Sequence, residues 1–222
     1  PAAMPATAPS AGAVGDSYLV FPLPFESPFE GSSSQVYNPA DDIASPYGWH
    51  DTDGVAGPEF NTTQGNNAFA YADLVAPDGF TAGDATTTAT AGQTFTHTAD
   101  FNQPPATNQD AAITNLFYVT NRVHDILYRY GFDEGSGNFQ SNNYGNGGMG
   151  NDAVKAEAQD YSGINNANFS TPADGLQPRM QMYLGGAVLS FTVSSPISIA
   201  GAIDSISASF GPLSFDVSGD VA

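Results

Sequence analysis

Residues 107–131, "TNQDAAITNLFYVTNRVHDILYRYG", form the one long periodic run in this chain. Ile113, Leu116, Phe117, Thr120, Val123, Leu127 and Tyr130 recur at three- and four-residue spacing, which on an α-helix draws a single apolar stripe. Thr107 or Asn108 can cap the first free amides, and Asp110 suits the positive end of the helix dipole. Gly131 is placed to end the helix. The pattern predicts the longest helix of the chain over 107–131, with Ile113, Leu116, Phe117, Val123 and Leu127 turned inward.

On the N-terminal side, residues 18 to about 106 are rich in Pro, Gly, Asn and Thr, with short alternations such as "SYLVFPL" and "TFTHTADF". They read as β-strands and long loops. Residues 1–17 have the Ala/Pro/Ser content of a flexible leader and lack the basic start of an intact signal peptide. On the C-terminal side, "FDEGSGNFQSNNYGNGGMGND" is too glycine-rich for a helix and is expected to be an ordered loop. In "DAVKAEAQDYSG" the residues Val154, Ala156 and Ala158 alternate with polar ones between glycine clusters, the signature of a strand. "NNANFSTPADGLQPRMQMYL", 165–184, follows as a turn, a loop and a short alternating strand. From 185 the chain has no basic residue and alternates Ser with Val, Ile, Phe and Leu, a β-rich pattern running to its last residue. The fold class expected is α+β, mostly β.

Four Lys and Arg stand against 23 Asp and Glu, a formal charge of −19. Phosphate backbones and anionic membrane surfaces would be repelled, so neither nucleic acid nor membrane is an expected partner. No apolar run reaches the roughly 18 residues of a membrane span. Without cysteine there is no disulfide, thiolate metal site or cysteine nucleophile. Low lysine, strong acidity and abundant Asn, Thr and Gly suit a secreted, extracellular protein. Acceptor sequons stand at Asn61 and Asn168.

Candidate chemistry is sparse. His50, His97 and His124 are far apart, with no pair four residues apart and no H-E-x-x-H. His97 reads as a surface residue, His124 as a buried structural histidine, and His50 as part of a Trp49–His50–Asp51 corner. No G-x-S-x-G elbow occurs. Asp41–Asp42 and Asp133–Glu134 are adjacent pairs of the kind usually solvated on loops. "DTDG" at 51–54 could hold calcium, although it is shorter than an EF-hand loop. "GNGGMG" lacks the lysine of a phosphate loop.

Taken in order, "NPADDIASPYGWHDTDGVAGPEFNTTQGNNAFAYAD" and the stretch from "QDAAITNLFYVTNRVHDILYRYG" through "NNANFSTPADGLQPRMQMYL" resemble the fungalysin-type zinc metallopeptidases, secreted endopeptidases with a thermolysin-like architecture. The resemblance covers about residues 18–184. It implies a β-rich N-terminal lobe over that range, forming one wall of a peptide-binding cleft. An edge strand, Ala153 through Asp160 and including Ala156, would hydrogen-bond the substrate backbone together with the turn at Asn165, Asn166, Ala167 and Asn168. The physics fits, because an exposed strand edge offers main-chain donors and acceptors and Asn amides add one of each. The plainer alternative is an Asn turn used only for its tolerance of left-handed backbone.

The family's H-E-x-x-H and its downstream glutamate ligand do not occur here. The tail from about 187 resembles the stretch leading toward an inserted protease-associated domain in bacterial relatives. The chain is therefore expected to be the N-terminal part of a secreted zinc endopeptidase whose zinc ligands lie outside it, inactive alone, with calcium possible. Peptide or protein substrates are the expected partners, with the missing catalytic half or another copy as further ones. The competing expectation is a non-catalytic secreted β-rich module derived from that lobe, working in binding or in self-assembly through open β edges.

Overall fold

The computed structural model describes residues 15–25, 28–55, 57–185, 189–193 and 201–205. The strands are β1 (Ser17–Val20), β2 (Ser34–Tyr37), β3 (Ala68–Ala72), β4 (Thr94–Phe95), β5 (Val154–Ile164), β6 (Ala167–Ser170), β7 (Arg179–Leu184), β8 (Leu189–Val193) and β9 (Gly201–Ser205), with one α-helix, α1 (Gln109–Arg129), between β4 and β5. The α+β class, mostly strand with a single long helix, is the expected one. Three sheets form: β2-β1-β4, β3-β5-β7-β6, and the hairpin β8-β9. That hairpin falls in the β-rich tail. The rest of the tail, and the expected leader up to residue 14, lie outside the described residues.

The helix is shorter at its start than 107–131, because Pro105–Asn108 form a 3-10 turn before it. Asn108 does not cap the helix; its side chain accepts from the Asp100 amide and donates to the Asp100 carbonyl, tying down the preceding loop. Thr107 instead bonds the Pro104 carbonyl. The far end closes as the glycine implied. Gly131 takes a φ of 96°, its amide bonds Tyr128, and the Phe132 amide reaches back to Leu127, a Schellman closure.

The inward face differs from the predicted stripe. Ile113 and Phe117 are fully buried and Leu116 packs against the core, but Val123 is 42% and Leu127 43% exposed. The buried line runs instead through Thr114, Tyr118, Asn121 and Asp125. Asp125 can lie on this face because the loop around 41–49 supplies donors for its carboxylate, and the Asn121 amide donates to the Phe117 carbonyl one turn back. Asp125 accepts from the Asp41 amide, Ser45 Oγ, Trp49 Nε1 and His124 Nδ1, at 2.7–3.1 Å. Burial without those donors would be costly.

Against α1 lie the small faces of two parallel strands. Ala68, Ala70 and Ala72 of β3 stand beside Val154, Ala156 and Ala158 of β5, all within the core cluster. Methyl-sized side chains leave room for Phe117, Tyr118 and Trp49 on the facing side. The strand expected over "DAVKAEAQDYSG" is present, but it is central rather than at an edge: β5 pairs with β3 on one side and β7 on the other. Its alternation alone could not say so. Both of its faces are buried, since Glu157 and Asp160 are covered as well as the alanines.

The Trp-His-Asp corner also forms differently. His50 is stacked between Phe95 and Phe117. Its Nδ1 lies 2.9 Å from the Gln64 carbonyl and its Nε2 2.7 Å from Tyr18 Oη. Trp49 bonds Asp125, while Asp51 accepts from the Gly54 amide and Tyr144. The adjacent acids are not simply solvated either. Asp41 is clamped by Arg129, and Glu134 is buried against Tyr128 and Asn146.

Two outcomes follow for stability. Phe117→Ala should cost about 3–5 kcal/mol in urea unfolding, as truncation of a buried aromatic does, whereas Leu127→Ala should cost under about 1 kcal/mol. Burial lowers the His50 pKa from 6.5 to about 4. The unfolded chain thus binds this proton below about pH 6.5 and the folded one only near 4. The stability tied to neutral His50, of order 3 kcal/mol, is complete above pH 6.5 and lost as pH falls through 4. Buried acids with raised pKa values act in the opposite sense, so thermal melts between pH 7 and 4 should be compared with His50→Gln, in which the acid-side slope is reduced.

Candidate functional site

The central position of β5 removes Ala156 from any substrate-binding edge. Its backbone is paired toward Ala70 and Met180, and its methyl is fully buried under α1. This corrects the expectation that Ala153–Asp160 is a cleft-wall strand. The outermost strand of the same sheet is β6, immediately after Asn165 and Asn166.

β6 runs antiparallel to β7 in the register Ala167↔Met182, Asn168↔Gln181, Phe169↔Met180 and Ser170↔Arg179. The Tyr183 amide donates to the Asn166 carbonyl. Hydrogen-bonded and non-bonded pairs alternate in antiparallel ladders, so the main-chain N–H and C=O groups of Ala167 and Phe169 point away from β7. All four β6 residues are exposed, and among the described residues no strand covers this edge. Asn165 turns the chain with φ 55°, the left-handed conformation that asparagine tolerates. The amide of Asn168 is directed inward across the strand pair, donating to Gln181 Oε1 at 3.0 Å and Tyr183 Oη at 2.8 Å. Phe169 lies half-exposed on the opposite sheet face, its ring 6.2 Å from that of Phe139. The turn residues and β6 are thus brought together, while Ala156 belongs to the core.

The sheet face away from α1 carries a group that the sequence did not announce. Asp73, Asp78, Glu157 and Asp160 each place a carboxylate oxygen within 4.8 Å of all the others. Glu157 comes from the polar side of β5, accepting from Tyr71 Oη at 2.6 Å. Asp160 would fall on the alanine side of a regular strand. A bulge at Gln159, which adopts φ 50°, moves it across, and Ala158 and Asp160 pair with consecutive residues of β7. Arg179 contacts both Asp78 and Glu157, and Gln181 Nε2 lies 2.6 Å from Asp160. Burial raises the Glu157 carboxyl to about 7, against the lowering influence of Tyr71 and Arg179. Burial also raises Asp73, helped by Asp84, Asp160 and Asp78. Only the charged residue at 157 in the alternation of "VKAEA" hinted at this face. Nothing local marks the bulge.

The residues present do not fit a catalytic zinc. His50 is locked among Tyr18, Gln64 and two phenylalanine rings, His97 bonds the Thr88 carbonyl, and His124 contacts Asp125, Asn138 and Gln140. Among the described residues no histidine joins a group of metal-ligating side chains. The loop acids Asp51, Asp53 and Glu59 do converge, which keeps the "DTDG" turn in the set of oxygen-rich positions.

Comparison with known proteins identifies the relatives of this chain. The chain is 44% identical over 170 residues to Extracellular metalloproteinase MEP of Fusarium vanettenii, an alignment covering 76% of this chain and 26% of that protein. Extracellular metalloproteinase 1 of Phaeosphaeria nodorum is 39% identical over 168 residues, covering 76% of this chain and 26% of its own length. For Extracellular metalloproteinase 3 of Trichophyton soudanense the values are 43% over 171 residues, with 75% and 41% covered. The chain thus spans between about a quarter and two fifths of these relatives. The fungalysin metallopeptidase model matches residues 17–188, a range holding α1, the four-stranded sheet and its open edge, and the chain belongs to the fungalysin metallopeptidase family.

Proposed function

We propose that this chain is the N-terminal, substrate-cleft-wall portion of a secreted, extracellular zinc-dependent endopeptidase. The observation that carries the proposal is the open edge of β6, where Ala167 and Phe169 turn their main-chain groups outward. An extended peptide added there gains backbone hydrogen bonds without regard to its sequence, as an endopeptidase requires. Asn165 and Asn166 hold the start of the strand, with the exposed Asn166 amide beside the incoming peptide. Asn168 positions rather than binds, since its side chain pins β6 to β7. The zinc that activates the attacking water in such an enzyme would be held by residues outside these 222, because H-E-x-x-H is absent from them.

An open edge can equally pair with a second copy, the basis of the reading as a non-catalytic binding module. The two readings separate on the intact parent enzyme. Asn166→Ala there should lower kcat/KM about tenfold, the loss of one hydrogen bond to a bound peptide, with zinc content unchanged. Loss of zinc in that variant would make the turn structural and end the substrate assignment. The 222-residue chain by itself should show neither stoichiometric zinc nor chelator-sensitive proteolysis. One tightly bound, histidine-ligated zinc would overturn the division of the enzyme proposed here.

A further inference from the structure

The acidic group formed by Asp73, Asp78, Glu157 and Asp160 is unusual in how little neutralises it. Three of its members are buried, and one guanidinium, that of Arg179, faces four carboxylates. Donors are present for some oxygens. Asp73 Oδ2 accepts from the Gly79 amide, Glu157 Oε1 from Tyr71, and Asp78 from Arg179 and Gln181. Asp160 accepts from the Ser162 amide and hydroxyl and from Gln181. Two oxygens receive no donor at all: Asp73 Oδ1 and Glu157 Oε2, on side chains with no solvent exposure.

Buried carboxylate oxygens are almost always satisfied, and each exception calls for a cause. A proton shared between Glu157 and Asp160, which lie in hydrogen-bond contact, would answer for Glu157. It leaves Asp73 Oδ1 without a partner and three carboxylates still charged. A cation answers for both. Calcium binds oxygens at about 2.3–2.6 Å, so oxygens that share one ion lie within about 5 Å of each other. The mutual limit of 4.8 Å among the four side chains meets that condition. Asp78, with a side chain 45% exposed, opens the group to solvent and gives an ion a route in.

We propose that Asp73, Asp78, Glu157 and Asp160 form a binding site for a divalent cation of the calcium type, on the sheet face opposite α1. The inference rests on these four residues and does not depend on the peptidase reading. Calcium suits the site better than magnesium, because carboxylates from two separate chain segments form an irregular oxygen shell rather than a tight octahedron. The bulge at Gln159 then has a role, as the device that brings Asp160 to the same face as Glu157.

Terbium, a luminescent substitute for calcium, provides the test on the 222-residue chain. Tyr71 is bonded to Glu157 and is therefore placed to sensitise a bound ion. Excitation of tyrosine should give saturable terbium emission with one ion per chain, displaced by calcium. Binding should weaken at least tenfold in Glu157→Gln and in Asp160→Asn, and persist in Asp51→Asn. Absence of saturable binding, or binding in Glu157→Gln and Asp160→Asn as tight as in the unsubstituted chain, overturns the site. Loss in Asp51→Asn alone moves the ion to the 51–59 loop and overturns it too. Tyr71→Phe, which keeps all four carboxylates, guards against misfolding of the charge variants: calorimetry should still find one calcium bound per chain.

Discussion

The carboxylate of Asp125 is the point from which the rest of this structure is held. It lies on α1, 2% exposed, and takes donors from the Asp41 amide, Ser45, the single tryptophan of the chain and His124. A buried carboxylate so surrounded is compatible with folding, whereas the same group without its donors would be strongly destabilising. Two hydrogen-bonded paths lead away from it. One runs through Ser45 to Asn67, whose carbonyl receives the Val154 amide at the start of β5. The other runs through His124 to Gln140, then to Asp152, which accepts from the Gly175 amide just ahead of β7. The helix is therefore joined to the sheet by polar contacts at its C-terminal half and by apolar ones at its N-terminal half.

That division explains the sheet. Ile113, Phe117 and Tyr118 press on alanine faces, which lets β3 and β5 lie close under the helix as parallel neighbours. With β5 paired to β3 on one side and to β7 on the other, no edge is left there. The open edge passes outward across β7 to β6. Gln181 links the acidic group to the edge strand, since its amide reaches Asp160 while its oxygen accepts from Asn168 of β6. The acidic group and the proposed peptide edge are thus one hydrogen bond apart on either side of a single residue.

Much of this was readable along the chain. The three- and four-residue spacing from Ile113 to Tyr130 marked the helix, Gly131 its end, and the alternation in "VKAEA" a strand, because these are local periodicities and local backbone requirements. The family resemblance ordered the elements correctly and drew attention to "NNANF". What misled was the assumption that the most apolar stripe of the helix is the buried one. Val123 and Leu127 are more hydrophobic than Asp125, yet Asp125 is inside, since the loop of residues 41–49 offers it donors that local sequence cannot reveal.

By itself, then, the sequence determined the secondary structure that depends on neighbours a few residues away, an acidity that repels polyanions, and the absence of H-E-x-x-H. Tertiary structure alone decided which strand is central and which is open, because β3 and β5 pair residues far apart in the chain, such as Ala68 with Val154. It also decided the position of Asp160. A regular strand would turn that carboxylate toward the alanines and the helix. The left-handed turn at Gln159, where β5 bulges against consecutive residues of β7, turns it instead toward Asp73 and Glu157.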